Sequence, residues 1–238
     1  MNASTQNNDQ PLLLQRRPWI LGFGMLLAAI GGFINTISLY LFQVPVTHVT
    51  GAISRLDLDL GIADYGNARL YAALLGGFLA GAVLCGVIIG GSALPPGRRY
   101  GLTLLLVGAI VAGSTWLLSH HLAGGLPALA LACGMQNAMY SSYHGQFMRT
   151  THMTGTVTDI GVMIGHWIRH RRVQGWKLRL LLGLLGAFFA GGLLGMAAAR
   201  PLGVGALWIA ALLCCVGGAA YFAHKSSWIR LPRRPGEA

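Results

Sequence analysis

The chain has 238 residues, of which 54% are hydrophobic and 10% charged; soluble domains carry roughly a quarter charged residues, so this composition excludes an ordinary water-soluble domain and predicts a membrane protein. Lys and Arg number 17 against 6 Asp and Glu, for a net charge of +11. The basic residues cluster between apolar runs rather than along one surface, which reads as membrane topology and argues against a nucleic-acid partner.

Residues 1–18 form a polar tail ending near Arg16-Arg17. The first apolar run, Trp19 to Phe42, is too long for a signal-peptide core and lacks a small-residue cleavage site, so it is expected to stay as a helix. It carries Gly32-Phe33-Ile34-Asn35-Thr36 and leads into Thr47-His48-Val49-Thr50-Gly51. The next stretch, Ala52 to Gly66, holds Arg55, Asp57, Asp59 and Asp64. Those charges are too costly for a lipid-facing helix, so a short, broken or re-entrant element buried in protein is expected. The runs Tyr71 to Leu94 and Leu102 to Leu118 follow, separated by Arg98-Arg99. The second of these sits at the short limit for a span and has room to begin earlier, around Gly101.

The same order then returns. Leu126 to Phe147 carries Gly134-Met135-Gln136-Asn137-Ala138 and leads into Thr151-His152-Met153-Thr154-Gly155; Thr156 to Ile168, Leu178 to Ala199 and Leu202 to Ala223 follow, with a basic tail at 224–238. Leu74 to Gly81 aligns with Leu184 to Gly191. Two pentapeptides recurring in order indicate internal duplication, with halves at 19–119 and 120–223. The fold class expected is all-α: a polytopic membrane bundle of about six transmembrane helices plus two short broken or re-entrant segments, built as two inverted repeats. If both short segments crossed, there would be about eight spans, the halves would be parallel, and Arg98-Arg99 would lie outside. The charge bias favours the inverted arrangement in an inner membrane, with both termini and the Arg169 to Lys177 loop cytoplasmic.

Polar residues inside such a bundle are the candidates for a site. His48 and His152 each stand between threonines just before a glycine; a neutral imidazole donates and accepts at once and titrates near neutral pH, so each suits substrate binding or proton relay. Their other reading is satisfaction of backbone groups freed where a helix breaks. Thr47, Thr50, Gly51, Thr151, Thr154 and Gly155 complete the two segments, with the threonines of the Thr-Gly steps expected as helix N-caps. Two helix starts, with Arg55 and Arg149, favour an anionic or carbonyl-bearing ligand. Asn35, Gln136 and Asn137 are read first as interhelical contacts and second as pathway lining. Register places Arg55 opposite Asp159, so these two are expected to approach near the pseudo-two-fold axis. The four-residue spacings of Gly77 with Gly81 and Gly191 with Gly195 predict close intramolecular helix packing. Cys85, Cys133, Cys214 and Cys215 lie in apolar runs without zinc or redox spacing and are read as packing residues; no metal or cofactor is expected.

The second-half motif, with Arg149-Thr150 before it and Thr158-Asp159-Ile160-Gly161 after it, closely resembles the signature of the YoaK-like bacterial membrane proteins, a domain family of unknown function. The resemblance covers about Trp19 to Phe222. Thr47-His48-Val49-Thr50-Gly51 looks like its first-half counterpart, where many members carry Asn-Met-Thr-Gly-Asn instead. It implies a bacterial inner-membrane protein of about six helices, often supposed to be a transporter, and supplies neither substrate nor catalytic residue. The leading expectation is therefore a small-solute transporter or permease with its site between the two Thr-His-x-Thr-Gly segments. A non-transporting assembly or regulatory protein and an intramembrane enzyme are the alternatives; no nucleophile setting or nucleotide-binding loop is recognisable. The expected partners are the lipid bilayer and an unidentified small molecule, with a second copy of the chain left open.

Overall fold

The computed structural model describes residues 18–90, 98–142, 150–170 and 175–228. Within them the regular structure is helical: α1 Pro18–Phe42, α2 Val49–Gly61, α3 Tyr65–Ile89, α4 Arg98–Ser119, α5 Gly125–Ser142, α6 Met153–His170, α7 Gly175–Leu202 and α8 Leu207–Trp228. A short 3-10 turn, Gly203–Ala206, separates α7 from α8. Arg149 and the basic segments around Arg16-Arg17, Arg171-Arg172 and Arg230 to Arg234 lie outside the described residues.

Leu21–Phe42, Tyr65–Ile89, Arg99–Ser119 and the stretch Gly175–Tyr221 are long and apolar enough to cross a membrane. The run expected from Leu102 is lengthened to 22 residues because the helix begins at Arg98. The run expected from Leu126 to Phe147 is helical only to Ser142, with 143–149 outside the described residues. Helix α3 starts before the apolar run at Tyr71, because Asp64 accepts the Asn67 backbone N–H at 3.1 Å and its side-chain N–H at 2.8 Å. That backbone bond, then the side-chain bond, holds the Asp64 carboxyl below the usual carboxylate range. Helix α1 stops where Gln43 turns into the left-handed region at φ 59° and Pro45 removes a backbone donor. Ser38 Oγ donates to the Val44 carbonyl at 2.7 Å and secures the break.

Three helix pairs dominate the packing: α3 with α5, α1 with α7 and α4 with α8. Glycines permit the first two. A methyl on Gly81 would run into the Leu131 carbonyl and one on Gly134 into the Phe78 carbonyl; correspondingly, Gly191 lies on Ala29 and Gly32 on Phe188. These are aligned residues in the two halves, so the first helix of each half packs on the third helix of the other. The small-residue spacings therefore serve packing within the chain. Contact order gives direction. Met25, Ala29 and Phe33 meet Gly183, Gly191 and Gly195 in turn, so α1 and α7 run parallel, whereas Gly101 meets Gly218 and Gly108 meets Ala211, so α4 and α8 run antiparallel. Phe23 and Tyr100 each lie 6.5 Å, centroid to centroid, from the Tyr221 ring. The starts of α1 and α4 and the end of α8 thus share one end of the bundle, joined by the start of α7 through Met25.

Large aliphatic side chains, among them Leu27, Ile34, Leu104, Leu129 and Met135, fill the interior. Gln136 Nε2 donates to the Leu27 carbonyl at 2.6 Å, tying α5 to α1. Cys85, Cys133 and Cys214 are free and buried, as packing residues should be.

One expectation is overturned. Helix α2 buries only Ala52 and Asp59, and among its described side chains α6 buries only Thr156, so neither segment is enclosed by protein. Each packs chiefly on the helix that follows it, α2 on α3 and α6 on α7. Both carry apolar side chains outward, Ile53, Leu58 and Leu60 on α2 and Val157, Ile164, Trp167 and Ile168 on α6. The Arg55 and Asp159 charges are met by the neighbouring helix, whereas the buried Asp59 Oδ2 has no hydrogen-bond partner among the described residues. The Arg55 guanidinium lies 5.7 Å from the centre of the Tyr71 ring, and Lys177 Nζ is 3.7 Å from Asp159 Oδ2. Arg55 and Asp159 therefore do not pair with each other; each is held within its own half.

Candidate functional site

A helix that breaks leaves backbone donors without partners, and each half meets that need with an asparagine one helix back. Asn35 Oδ1 accepts the Thr47 backbone N–H at 3.2 Å and the Thr47 hydroxyl at 2.9 Å. Asn137 Oδ1 accepts the Thr151 backbone N–H at 3.3 Å. All four residues are buried. The asparagines thus pin the two Thr-His-x-Thr-Gly segments to the ends of α1 and α5.

After each pinned threonine comes the histidine, which is the boundary residue of the short helix. The His48 carbonyl accepts from Ala52 N–H at 3.0 Å and the His152 carbonyl from Thr156 N–H at 3.1 Å. His48, without a side-chain cap bond, is the N-cap of α2. This corrects the expectation that threonine caps these helices: Thr50 and Thr154 lie inside the first turn, where their carbonyls accept the Ser54 and Thr158 hydroxyls at 3.2 and 2.9 Å.

Both segments open onto one cavity of about 980 Å³. Thr47, His48, Thr50 and Gly51 line it from one half, and Asn137, Thr151, His152 and Thr154 from the other. Its remaining wall is apolar, chiefly Leu75, Phe78, Leu79 and Ala82 on α3, with the Gly134 and Ala138 face of α5 beside them. The spacing of the four α3 residues is that of a single helix face.

The two histidines are equivalent in sequence and differ in place. The His48 ring stacks on Phe188 with centroids 6.2 Å apart and planes 24° from parallel. The His152 ring lies back over Gly155, where a methyl would strike it, whereas nothing lies within 4 Å of a methyl on Gly51. Phe78, the counterpart of Phe188, has no such imidazole partner among the described residues and lines the cavity. The cavity is thus one-sided, bounded by the α3 and α5 wall while His48 occupies the matching place on α7.

Of the other sequence candidates, Gln136 is a buried tie between helices, Asn35 a buried tie to Thr47, and Gly155 carries the His152 ring; none of the three lines the cavity. Arg55 and Asp159 face α3 and α7 respectively and are not among the lining residues. Sequence reasoning missed the α3 wall. The signal was the Leu74 to Gly81 repeat, read as duplication and, at Gly77 and Gly81, as packing; the glycines that bring α3 against α5 also bring Phe78 and its neighbours to the cavity.

Residues 23–220 match the model of the family described as "Protein of unknown function (DUF1275)", to which the YoaK-like proteins belong. No curated protein and no solved structure matches the chain.

Proposed function

The chain belongs to the DUF1275 family, and from that premise we propose that it is a small-solute transporter of the bacterial inner membrane, with its site in the cavity between the two Thr-His-x-Thr-Gly segments. The observation that carries this reading is the one-sided cavity between two equivalent helix breaks. A pair of repeats in unlike local states, one with its histidine over Phe188 and one with its histidine drawn back, is what alternating access between repeats requires. In the second state His152 would cover Phe78 and His48 would withdraw over Gly51, transferring the opening to the α1 and α7 wall.

The membrane arrangement proposed with it has about six crossings in two inverted repeats. Support comes from α4 and α8: equivalent helices that run antiparallel require a pseudo-two-fold axis across the helices, in the membrane plane. Eight crossings would make them parallel. The helix ends gathered around Tyr221 and Met25 include those that adjoin the basic clusters, which supports a cytoplasmic side for both termini by the positive-inside rule. A cysteine introduced at Arg98 should resist an impermeant thiol reagent applied from the periplasm and react after permeabilisation. Labelling in intact cells would refute the arrangement.

Transport itself is tested by flux into proteoliposomes. His152→Gln keeps a donor and an acceptor but cannot carry a proton as imidazole can, so it should fold with normal yield and bind solute at fixed pH while losing any pH dependence of flux. If His152 only held the helix break, His152→Gln would keep wild-type pH dependence and His152→Ala would lower folded yield. Wild-type pH dependence in the His48→Gln, His152→Gln double variant would remove the relay role.

A further inference from the structure

We infer that the cavity accepts an uncharged, amphipathic solute, with hydroxyl or amide groups on one flank and an aliphatic or aromatic body on the other. That this solute is cargo rests on the transporter reading; that it binds does not.

The polar flank is made of the Thr50, Thr151 and Thr154 hydroxyls and the His48 and His152 imidazoles, groups that both donate and accept, while the Thr47 hydroxyl, donating to Asn35, is left to accept. No Asp, Glu, Lys or Arg is among the described lining residues. Arg55 and Asp159, on the helices that begin at the two breaks, are engaged elsewhere, Arg55 over Tyr71 and Asp159 with Lys177. An ion packed against the apolar α3 face would lose part of its water with no charged group among the described lining residues to meet it. The starts of α2 and α6 offset part of that for an anion, but a helix terminus contributes only about 0.3–1 kcal/mol, rising to about 2 in favourable partly buried geometry. Of the anionic or carbonyl-bearing ligands expected from sequence, this lining favours the neutral carbonyl-bearing kind. Hydroxyls and imidazoles instead satisfy amide and hydroxyl groups of either polarity.

The apolar flank is the single face Leu75, Phe78, Leu79 and Ala82. Phe78, lacking the imidazole that covers Phe188, offers a ring for an aliphatic or aromatic body to pack against. The volume of about 980 Å³ lies at the upper end of small-molecule cavities, which run to roughly 1,000 Å³.

Three probes sharing one body and differing only in charge decide the matter: phenylpropionamide, phenylpropionate and phenylpropylammonium, titrated by calorimetry into the full chain in lipid nanodiscs. The amide should bind at least about 5-fold more tightly than either ion. Phe78→Ala should weaken amide binding about 10-fold, as should the Thr50→Val, Thr154→Val pair, both with unchanged elution profiles. Should Phe78→Ala misfold, Phe78→Leu serves, with about a 3-fold loss. Tighter binding of either ion, no detectable binding of the amide at millimolar concentration, or amide binding indifferent to all these variants would overturn the inference. Flux separates it from the transporter reading. Amide that binds without crossing proteoliposomes counts against transport and leaves the ligand class standing, whereas flux of an ionic probe in preference to the amide does the reverse.

Discussion

Gly191→Val should lose most of its folded protein. A side chain there meets the carbonyl of Ala29, a backbone group that cannot turn aside, so α1 and α7 must separate along their contact. Overpacking of this kind costs about 3 kcal/mol at the upper end of the usual range, enough to lower the folded-to-unfolded ratio roughly 100-fold. The aligned change Gly81→Val, against the Leu131 carbonyl, should do the same to α3 and α5. Gly186→Val is the control on the same helix as Gly191: nothing lies within 4 Å of its added carbon, and its effect should stay within about 0.5 kcal/mol. Monodisperse yield and thermal unfolding in detergent read all three. Equal yields for Gly191→Val and Gly186→Val would contradict the close approach of the helices.

Asn35→Leu should be nearly as damaging, for a different reason. It strips the acceptor from both the Thr47 backbone N–H and the Thr47 hydroxyl, two buried donors at 3.2 and 2.9 Å. A buried donor left without a partner costs about 1–3 kcal/mol, so a total near 2–4 kcal/mol is expected. Adding Thr47→Val removes the hydroxyl's need and should restore part of the loss, with a coupling of at least about 0.5 kcal/mol in the double-mutant cycle. Additive effects would mean that Asn35 does not act through Thr47. Because Thr47 precedes His48, Asn35→Leu should also loosen the His48 contact with Phe188, so the surviving folded fraction should show altered probe binding in the cavity.

The order of helices and the recurrence of the Thr-His-x-Thr-Gly segment at two helix breaks were legible in the sequence. Apolar length alone marks a membrane helix, and a polar segment repeated at the edge of such runs stands out against them. Gly77, Gly81, Gly191 and Gly195 announced close packing for the same local reason, since a missing side chain has meaning wherever helices meet. The enclosure of α2 and α6 was misjudged because charge content reports the cost of lipid exposure but not which neighbour meets it. Arg55 found Tyr71 and Asp159 found Lys177, each on the following helix of its own half. Their matched register described sequence equivalence, and nothing in that equivalence brings two residues together.

By itself the sequence determined an all-helical chain in which one polar segment recurs, with hydrogen-bonding residues concentrated at two breaks; composition and periodicity are local properties, and these follow from them. Only the tertiary structure decided that the first helix of each half packs on the third helix of the other, and that α3 closes one wall of the cavity. It alone decided that one histidine stacks on Phe188 while its twin folds over Gly155. Those outcomes depend on which distant surfaces fit at close range, with glycines placing one helix against the carbonyls of another, and on two nearly identical segments settling into different surroundings.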